Sequence, residues 1–305
     1  MLQPRSMNTT NKINKLVVIG VGLIGGSFAL ALKRAGLVNT VTGVGRSPAN
    51  LDAALRLGVV DEICVDPASA VVNADMVLLA VPVGQMGAVM VAIAPVLPAH
   101  AVVSDAGSTK QDVVALARQY LPRHLQRFVP AHPIAGAEKS GAEAALVDLY
   151  HNKNLVITAL PENAPDAVRL VRDLWQGCGA RIREMTPAEH DAVFAAVSHL
   201  PHLLAFALVD EIAAKPNAEQ CFRFAASGFR DSTRIASSSP EMWRDISLAN
   251  RSALLDELQQ YQQQLARLQR LLADADGEGM LAMFTRARDA RNHWLTEILG
   301  SGKTE

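Results

Sequence analysis

An excess of charge of either sign is missing from this chain. Its 29 Lys and Arg face 30 Asp and Glu, leaving a formal net charge of -1. Nothing electrostatic therefore favours nucleic acid or an anionic membrane surface as a partner. Cysteine is scarce as well. Cys64, Cys178 and Cys221 are odd in number, far apart and without a C-x-x-C pair. That usage predicts free thiols in a reducing cytoplasm and argues against a thiolate metal site, so no metal is expected. Residues 1–12 are polar and lack the apolar core of a signal peptide; they read as a disordered arm. Between Asp75 and Asp105 there is no Asp, Glu, Lys or Arg at all. A run of that length raises a transmembrane helix, but Pro82, Gly84, Gly87, Pro95 and Pro98 interrupt it. It divides instead into a buried strand at 76–81, a helix at 84–94 and a second strand at 101–104, and no membrane partner is expected.

What the chain does have is length, 305 residues, with 50% apolar and 19% charged side chains, enough for two domains and a sizeable core. Its organising stretch is Lys15 to Ser27. Leu16 to Ile19 is a short apolar run rich in β-branched residues, which reads as a strand buried on both faces. Gly20, Gly22 and Gly25 follow at the spacing G-x-G-x-x-G, and a helix from Ser27 to Ala35 is closed by Gly36. Gly20 allows the tight turn, Gly22 lets backbone approach a pyrophosphate, and Gly25 lets helix pack on strand. The helix N-terminus, with Leu23 and Ile24 in the turn before it, offers N–H groups and a positive dipole end to phosphates. Glycines alone are a weak signal. Strand, turn and helix together predict a dinucleotide site.

Further strands are expected at 40–44, 63–65, 76–81, 101–104 and 127–130, with helices between them, one from Gln111 to Tyr120. Ser47 can cap the second helix, with Pro48 in its first turn and Gly58 after its end. Alternating strands and helices predict an α/β, doubly wound parallel sheet with its ligand at the carboxyl ends of the strands. Strands at 155–159 and 181–185 read as a continuation of that sheet. After Met185 the pattern is helical only. Thr186 to Glu189 forms a capping box that opens a long apolar helix to about Ala214. A second helix runs from Ser239-Pro240 to about Ala273, carrying Leu254, Leu258, Tyr261, Leu265, Leu268 and Leu272 at spacings of three and four. A last helix is expected over 280–299. The domain reading is 1–12 an arm, 13–185 a dinucleotide-binding domain and 186–300 an all-α domain. The leucine stripe needs a partner surface, for which a homodimer interface is the natural one.

The end of the second strand selects the cofactor. An acidic residue there would bind the ribose 2′-hydroxyl of NAD, but the chain reads Gly43-Val44-Gly45-Arg46-Ser47. Arg46 and Ser47 suit a 2′-phosphate, so NADP is expected, with NAD as the alternative. A solvated Arg46 and a merely capping Ser47 are the plainer reading. His132 follows the sixth strand and Ser108 follows the fifth, which places a proton acceptor and a hydroxyl at strand carboxyl ends. His199 and His202 bracket Pro201, where a disturbed helix can aim a side chain into a cleft. Arg230 and Arg234 lie in the stretch Gly228–Ala236. An arginine fork there fits a carboxylate substrate, with an ion pair to Asp231 as its structural alternative.

The stretches G-V-G-L-I-G-G-S, D-A-G-S-T-K, H-P-I-A-G-A-E-K-S-G, S-H-L-P-H, G-F-R-D-S-T-R-I-A and M-W-R-D-I occur in this order between Lys15 and Leu272. Together they resemble the prephenate and arogenate dehydrogenase family. The resemblance implies a Rossmann domain, a helical dimerisation domain and oxidative decarboxylation of a small-molecule substrate in tyrosine biosynthesis, in the cytoplasm. Carried over by motif, His132 hydrogen-bonds the ring hydroxyl and Ser108 orients it. Arg234 binds a substrate carboxylate, His202 lines the site, and Glu138 with Asp231 lies at its entrance. The chain departs from many NAD-using members in having no acidic residue at Gly45. Prephenate against arogenate is left open, since the keto and amino side chains are read by few contacts.

Two other functions fit part of the sequence. A β-hydroxyacid dehydrogenase shares the cofactor domain but leans on a lysine in the second domain, where Lys215 is the only one between Lys153 and the C-terminal tail. A non-enzymatic nucleotide-sensing scaffold explains Gly20 to Gly25 but leaves His132, Ser108 and Arg234 without a role.

Overall fold

A computed structural model describes residues 12–136 and 139–298 of the chain. They fall into two compact units that divide between Arg251 and Ser252. The first opens with β1 (Ile13–Ile19), α1 (Leu23–Ala35), β2 (Val38–Val44), α2 (Pro48–Arg56), β3 (Glu62–Cys64) and the short α3 (Pro67–Ala70). It continues through β4 (Met76–Leu79), α4 (Val83–Ile93), β5 (Val102–Asp105), α5 (Gln111–Tyr120) and β6 (Phe128–Val129). These strands form a six-stranded parallel sheet in the order β3-β2-β1-β4-β5-β6. All four residues of β4 and the stretch Leu16–Ile19 of β1 are buried, which is why both read as unbroken apolar runs. The order reverses between β1 and β4, so the crevice for a ligand opens beyond their carboxyl ends.

The sheet does not continue as expected. The chain leaves β6 through Pro130 and enters β7 (Ala131–Pro133), which pairs antiparallel with β8 (Asn154–Ile157). After α6 (Pro165–Gly177), β9 (Arg181–Glu184) pairs parallel with β8, making a separate three-stranded sheet. Pro130 has no N–H for a ladder, and that interrupts pairing after only two residues of β6. Helix α1 begins at Leu23 rather than at Ser27, taking Gly25 and Gly26 into its first turn. Trp175 of α6 is fully buried between Phe28 of α1 and Tyr150, with ring centroids 4.3 and 4.9 Å away, and ties the second sheet to the first.

The helical part opens with α7 (Pro187–Phe194), whose Thr186–Glu189 capping box forms as read. A π turn (Ala195–His199) joins it to α8 (Leu200–Ala213), and α9 (Ala218–Arg223) and α10 (Ser227–Thr233) follow. By length and apolar composition alone, 187–213 could cross a membrane. Its His190, Asp191 and His199 are buried and hydrogen-bonded inside the same unit. The helix expected over 240–273 is two helices, α11 (Pro240–Ala249) and α12 (Arg251–Ala273). Asn250 breaks it at φ -103° and ψ 31°.

The second unit holds most of α12 and α13 (Gly277–His293), which starts three residues earlier than expected and ends in a π turn (Trp294–Ile298). Of the leucine stripe, Leu254 is buried, while Tyr261, Leu265 and Leu272 are 37%, 49% and 59% exposed. Leu281 and Phe284 on α13 are exposed too. The disordered arm expected for 1–12 falls almost wholly outside the described residues.

Candidate active site

The glycine turn is built for a close ligand. Gly20 has φ +103°, and a Cβ there would lie 2.5 Å from the Ala80 carbonyl oxygen of the neighbouring strand end. A Cβ on Gly25 would lie 2.3 Å from the Gly20 oxygen, so helix and turn touch. A Cβ on Gly22 would meet nothing, so the space before the helix is open. Gly22 is the N-cap of α1 and gives it no side-chain cap. The first-turn amides, from Leu23 onward, are thus left for a phosphate. Asn50 stiffens this turn: its Nδ2 donates to the Val21 oxygen at 2.7 Å and its Oδ1 accepts from Ala142 N at 2.8 Å. These features fit a dinucleotide. At the end of β2, Ser47 caps α2 by accepting from Asn50 N at 3.3 Å, and Arg46 is exposed without an ion pair among the described residues.

Ser108 is partly exposed in the loop after β5, and two buried carboxylates hold that loop. Asp105, at the end of β5, pairs with the Lys110 ammonium, both fully buried, and accepts from Gly107 N at 2.8 Å and Ala131 N at 3.2 Å. Asp191, on α7, accepts from Lys110 N and Gln111 N at 2.8 Å each. The contact with Ala131 places β7, and with it His132, beside the Ser108 loop. His132 Nδ1 lies 2.8 Å from His190 Nε2, and His190 Nδ1 lies 2.8 Å from Asp191 Oδ1. Phe194 packs on both rings, 4.9 Å from His132 and 4.4 Å from His190 between centroids.

Asn250, at the break between α11 and α12, donates from Nδ2 to the Asp191 backbone oxygen at 2.8 Å and lies 3.1 Å from His199 Nδ1. His202 donates from Nδ1 to the Ser198 oxygen at 2.9 Å and stacks on Trp243 at 3.6 Å between centroids. Arg234 opens the turn after α10, exposed, and its charge is felt by the His202 ring. Asp231 is exposed and pairs with Arg230 at 3.2 Å. Glu138 lies outside the described residues. Lys215, on which the β-hydroxyacid dehydrogenase reading relied, is an exposed partner of Glu211 at 3.2 Å.

Sequence reasoning missed Asp105, Lys110, His190, Asp191 and Asn250. The first two lay in a stretch read only for Ser108. His190-Asp191 carried a signal: Asp191 is the last charged residue before the uncharged run 192–209.

The histidines share a direction. Burial pushes His132 well below the usual histidine range, and the charge on Lys110 and any on His190 or His199 push it further. Burial also lowers His190, against the opposing pull of Asp191, and lowers His199 to about 4. In His202, burial and the Arg234 charge outweigh the Ser198 carbonyl. Burial would raise Asp191, but the hydrogen bonds from His190, Gln111 and Lys110 hold it below its ordinary value.

Comparison with known proteins gives the same outline. The family description "Prephenate dehydrogenase, nucleotide-binding domain" matches residues 28–184, and "Prephenate dehydrogenase, dimerization domain" matches residues 186–286. The cyclohexadienyl dehydrogenase of Zymomonas mobilis is 36% identical over 90% of this chain and 94% of its own length. The prephenate dehydrogenase of Bacillus subtilis is 39% identical over 91% of this chain and 75% of its own. The crystal structure of Aquifex aeolicus prephenate dehydrogenase with hydroxyphenyl propionate and NAD+ superposes at a TM-score of 0.86. It is 33% identical and covers 95% of this chain and 99% of that one.

The lowered histidines predict acid sensitivity. Below about pH 6.5 the unfolded chain takes up protons that the folded chain refuses, so stability falls as pH falls, down to about pH 4 for His199. Urea unfolding at pH 7.5 and 5.0 should show a loss of about 2 kcal/mol or more at the lower pH. An equal or higher stability at pH 5.0 would contradict it.

Proposed function

Since the chain belongs to the prephenate dehydrogenase family, we propose that it oxidatively decarboxylates prephenate, arogenate or both, with NADP+ as preferred hydride acceptor. The observation that carries this reading is His132 held beside the Ser108 loop, through the Ala131 contact with Asp105, in the same unit as an open glycine turn at the end of β1.

The substrate ring bears a hydroxyl and a hydrogen on one carbon and a carboxylate on the carbon opposite. The bound nicotinamide supplies the acceptor for the hydride. As that C–H bond breaks, the hydroxyl-bearing carbon takes on carbonyl character. The bond to the carboxylate then gives its electrons to the ring and carbon dioxide departs, leaving a phenol. Aromatisation drives the step, so the protein's work is to orient and to stabilise. Neutral His132 accepts the hydroxyl hydrogen bond and supports positive polarisation at that carbon, which an imidazolium would oppose. Ser108 orients the same hydroxyl. Arg234 holds a substrate carboxylate by its fork, beside His202. Asp231 stands at the entrance.

The preference for NADP+ rests on Gly45, Arg46 and Ser47 at the end of β2, where no carboxylate would repel a 2′-phosphate. The three free thiols support a cytoplasmic setting. The domains of this reading are 13–185 for the dinucleotide and 186–300 for substrate and dimerisation. The exposed apolar residues Tyr261, Leu265 and Leu272 support a homodimer.

Steady-state kinetics with prephenate and arogenate, each with NADP+ and NAD+, tests the function. Turnover of at least one substrate is expected, with higher kcat/KM for NADP+, and Arg46→Ala should harm NADP+ use more than NAD+ use. Arg234→Ala should raise substrate KM strongly and leave cofactor KM near normal, at about 2–4 kcal/mol in transition-state binding. No turnover of either substrate would overturn the reading, and higher kcat/KM with NAD+ would overturn the cofactor choice. Sedimentation at micromolar concentration should show a dimer; a monomer would exclude that assembly.

A further inference from the structure

We propose that His190, anchored by Asp191, is a positioning residue that fixes the tautomer of His132, so that His132 Nε2 keeps its lone pair for the substrate hydroxyl. The inference deepens the proposed function and rests on its reading of His132 as the hydrogen-bond acceptor.

Donors and acceptors around the two rings fix where their protons sit. The Asp191 carboxylate is ionised and only accepts. Three donors converge on it: Lys110 N and Gln111 N at 2.8 Å, and the His190 ring from Nδ1 at 2.8 Å. The proton of neutral His190 is therefore on Nδ1, and its Nε2 carries a lone pair. That lone pair faces His132 Nδ1 at 2.8 Å, a hydrogen-bond distance. One of the two nitrogens must donate, and His190 Nε2 has no hydrogen to give. His132 Nδ1 therefore carries the proton, and Nε2, at the far side of the ring, is the acceptor.

The alternative is a doubly protonated His190, which would donate from Nε2 and reverse the tautomer of His132. The groups around the pair disfavour it. Lys110 is a fully buried cation whose charge bears on both rings, and its own partner Asp105 already accepts from Gly107 N and Ala131 N. His199, on the other flank, is itself neutral near pH 7. Burial of His190, with no exposed surface, adds the desolvation cost of a second cation. Phe194 packs on both rings and holds their mutual angle. The arrangement follows the orienting logic of a carboxylate–histidine pair, with a second histidine interposed between carboxylate and acting ring.

The tautomer can be read directly. Wild-type protein with 15N-labelled histidine at pH 7.5, without substrate, should show a protonated Nδ1 and a pyridine-type Nε2 for His132. The signal is assigned by its loss in His132→Asn. His190→Leu should shift His132 toward the Nε2-protonated form and lower kcat on the order of 10- to 10³-fold, with substrate KM within about threefold. His190→Gln, whose amide can donate to Asp191 and accept from His132, should restore at least about tenfold of that loss. A protonated Nε2 on wild-type His132, or a wild-type kcat in His190→Leu, would overturn the proposal. Failure to turn over either prephenate or arogenate would instead overturn the proposed function, because the tautomer measurement needs no substrate.

Discussion

Two buried carboxylates, Asp105 and Asp191, hold the centre of this molecule together. Neither could be buried alone, since an unpaired charge inside a protein is expensive. Asp105 is matched by an ammonium that is equally buried, Lys110, and by two backbone amides. Asp191 is matched by two backbone amides and a histidine. Lys110 belongs to both sets, through its side chain on one side and its backbone on the other. The loop bearing Ser108 is thus clamped between the sheet and the helix α7. Removing one member of such a buried pair typically costs about 3–5 kcal/mol, because the other is left uncompensated. The pair contributes less to net stability than to fixing one arrangement of strand end, loop and helix.

The helices beyond the sheet take their irregularities from the same centre. The π turn Ala195–His199 ends two residues before Pro201, whose missing N–H cannot continue a regular ladder. The widened turn delivers His199 to Asn250 and lets His202, one turn on, stack against Trp243. Asn250 in turn ends α11, because its side chain is committed to the backbone oxygen of Asp191. Of the histidines in this region His190 and His199 are buried, while His132 and His202 are half-buried.

Much of this was legible along the chain. The glycine turn, the Ser47 cap, the left-handed Gly36 and Gly58, the capping box at Thr186 and the helix Gln111–Tyr120 are local, and local chemistry determines them. The same holds for the buried strands, whose apolar runs need no partner to be recognised. What was misread depends on distant partners. That 155–157 and 181–184 form their own sheet follows from the antiparallel pairing of β7, a strand of three residues with no pattern of its own. The break at Asn250 follows from a residue 59 positions earlier in the chain. His132 and Ser108 could be singled out by their place after strands. Asp105 could not, because its meaning lies in what faces it.

On the proposed reading, a neutral His132 assists hydride loss from the hydroxyl-bearing carbon. Single-turnover hydride transfer, followed by nicotinamide absorbance across pH in wild type, His132→Asn and His202→Asn, tests it most directly. The wild-type rate should fall on the acid side with one apparent pKa below the ordinary histidine value. His132→Asn should lose that limb and about 10²–10⁴-fold in rate while still binding substrate, and His202→Asn should keep the limb. A His132→Asn variant that retains both rate and acid limb, with His202→Asn losing them, would move the role to His202.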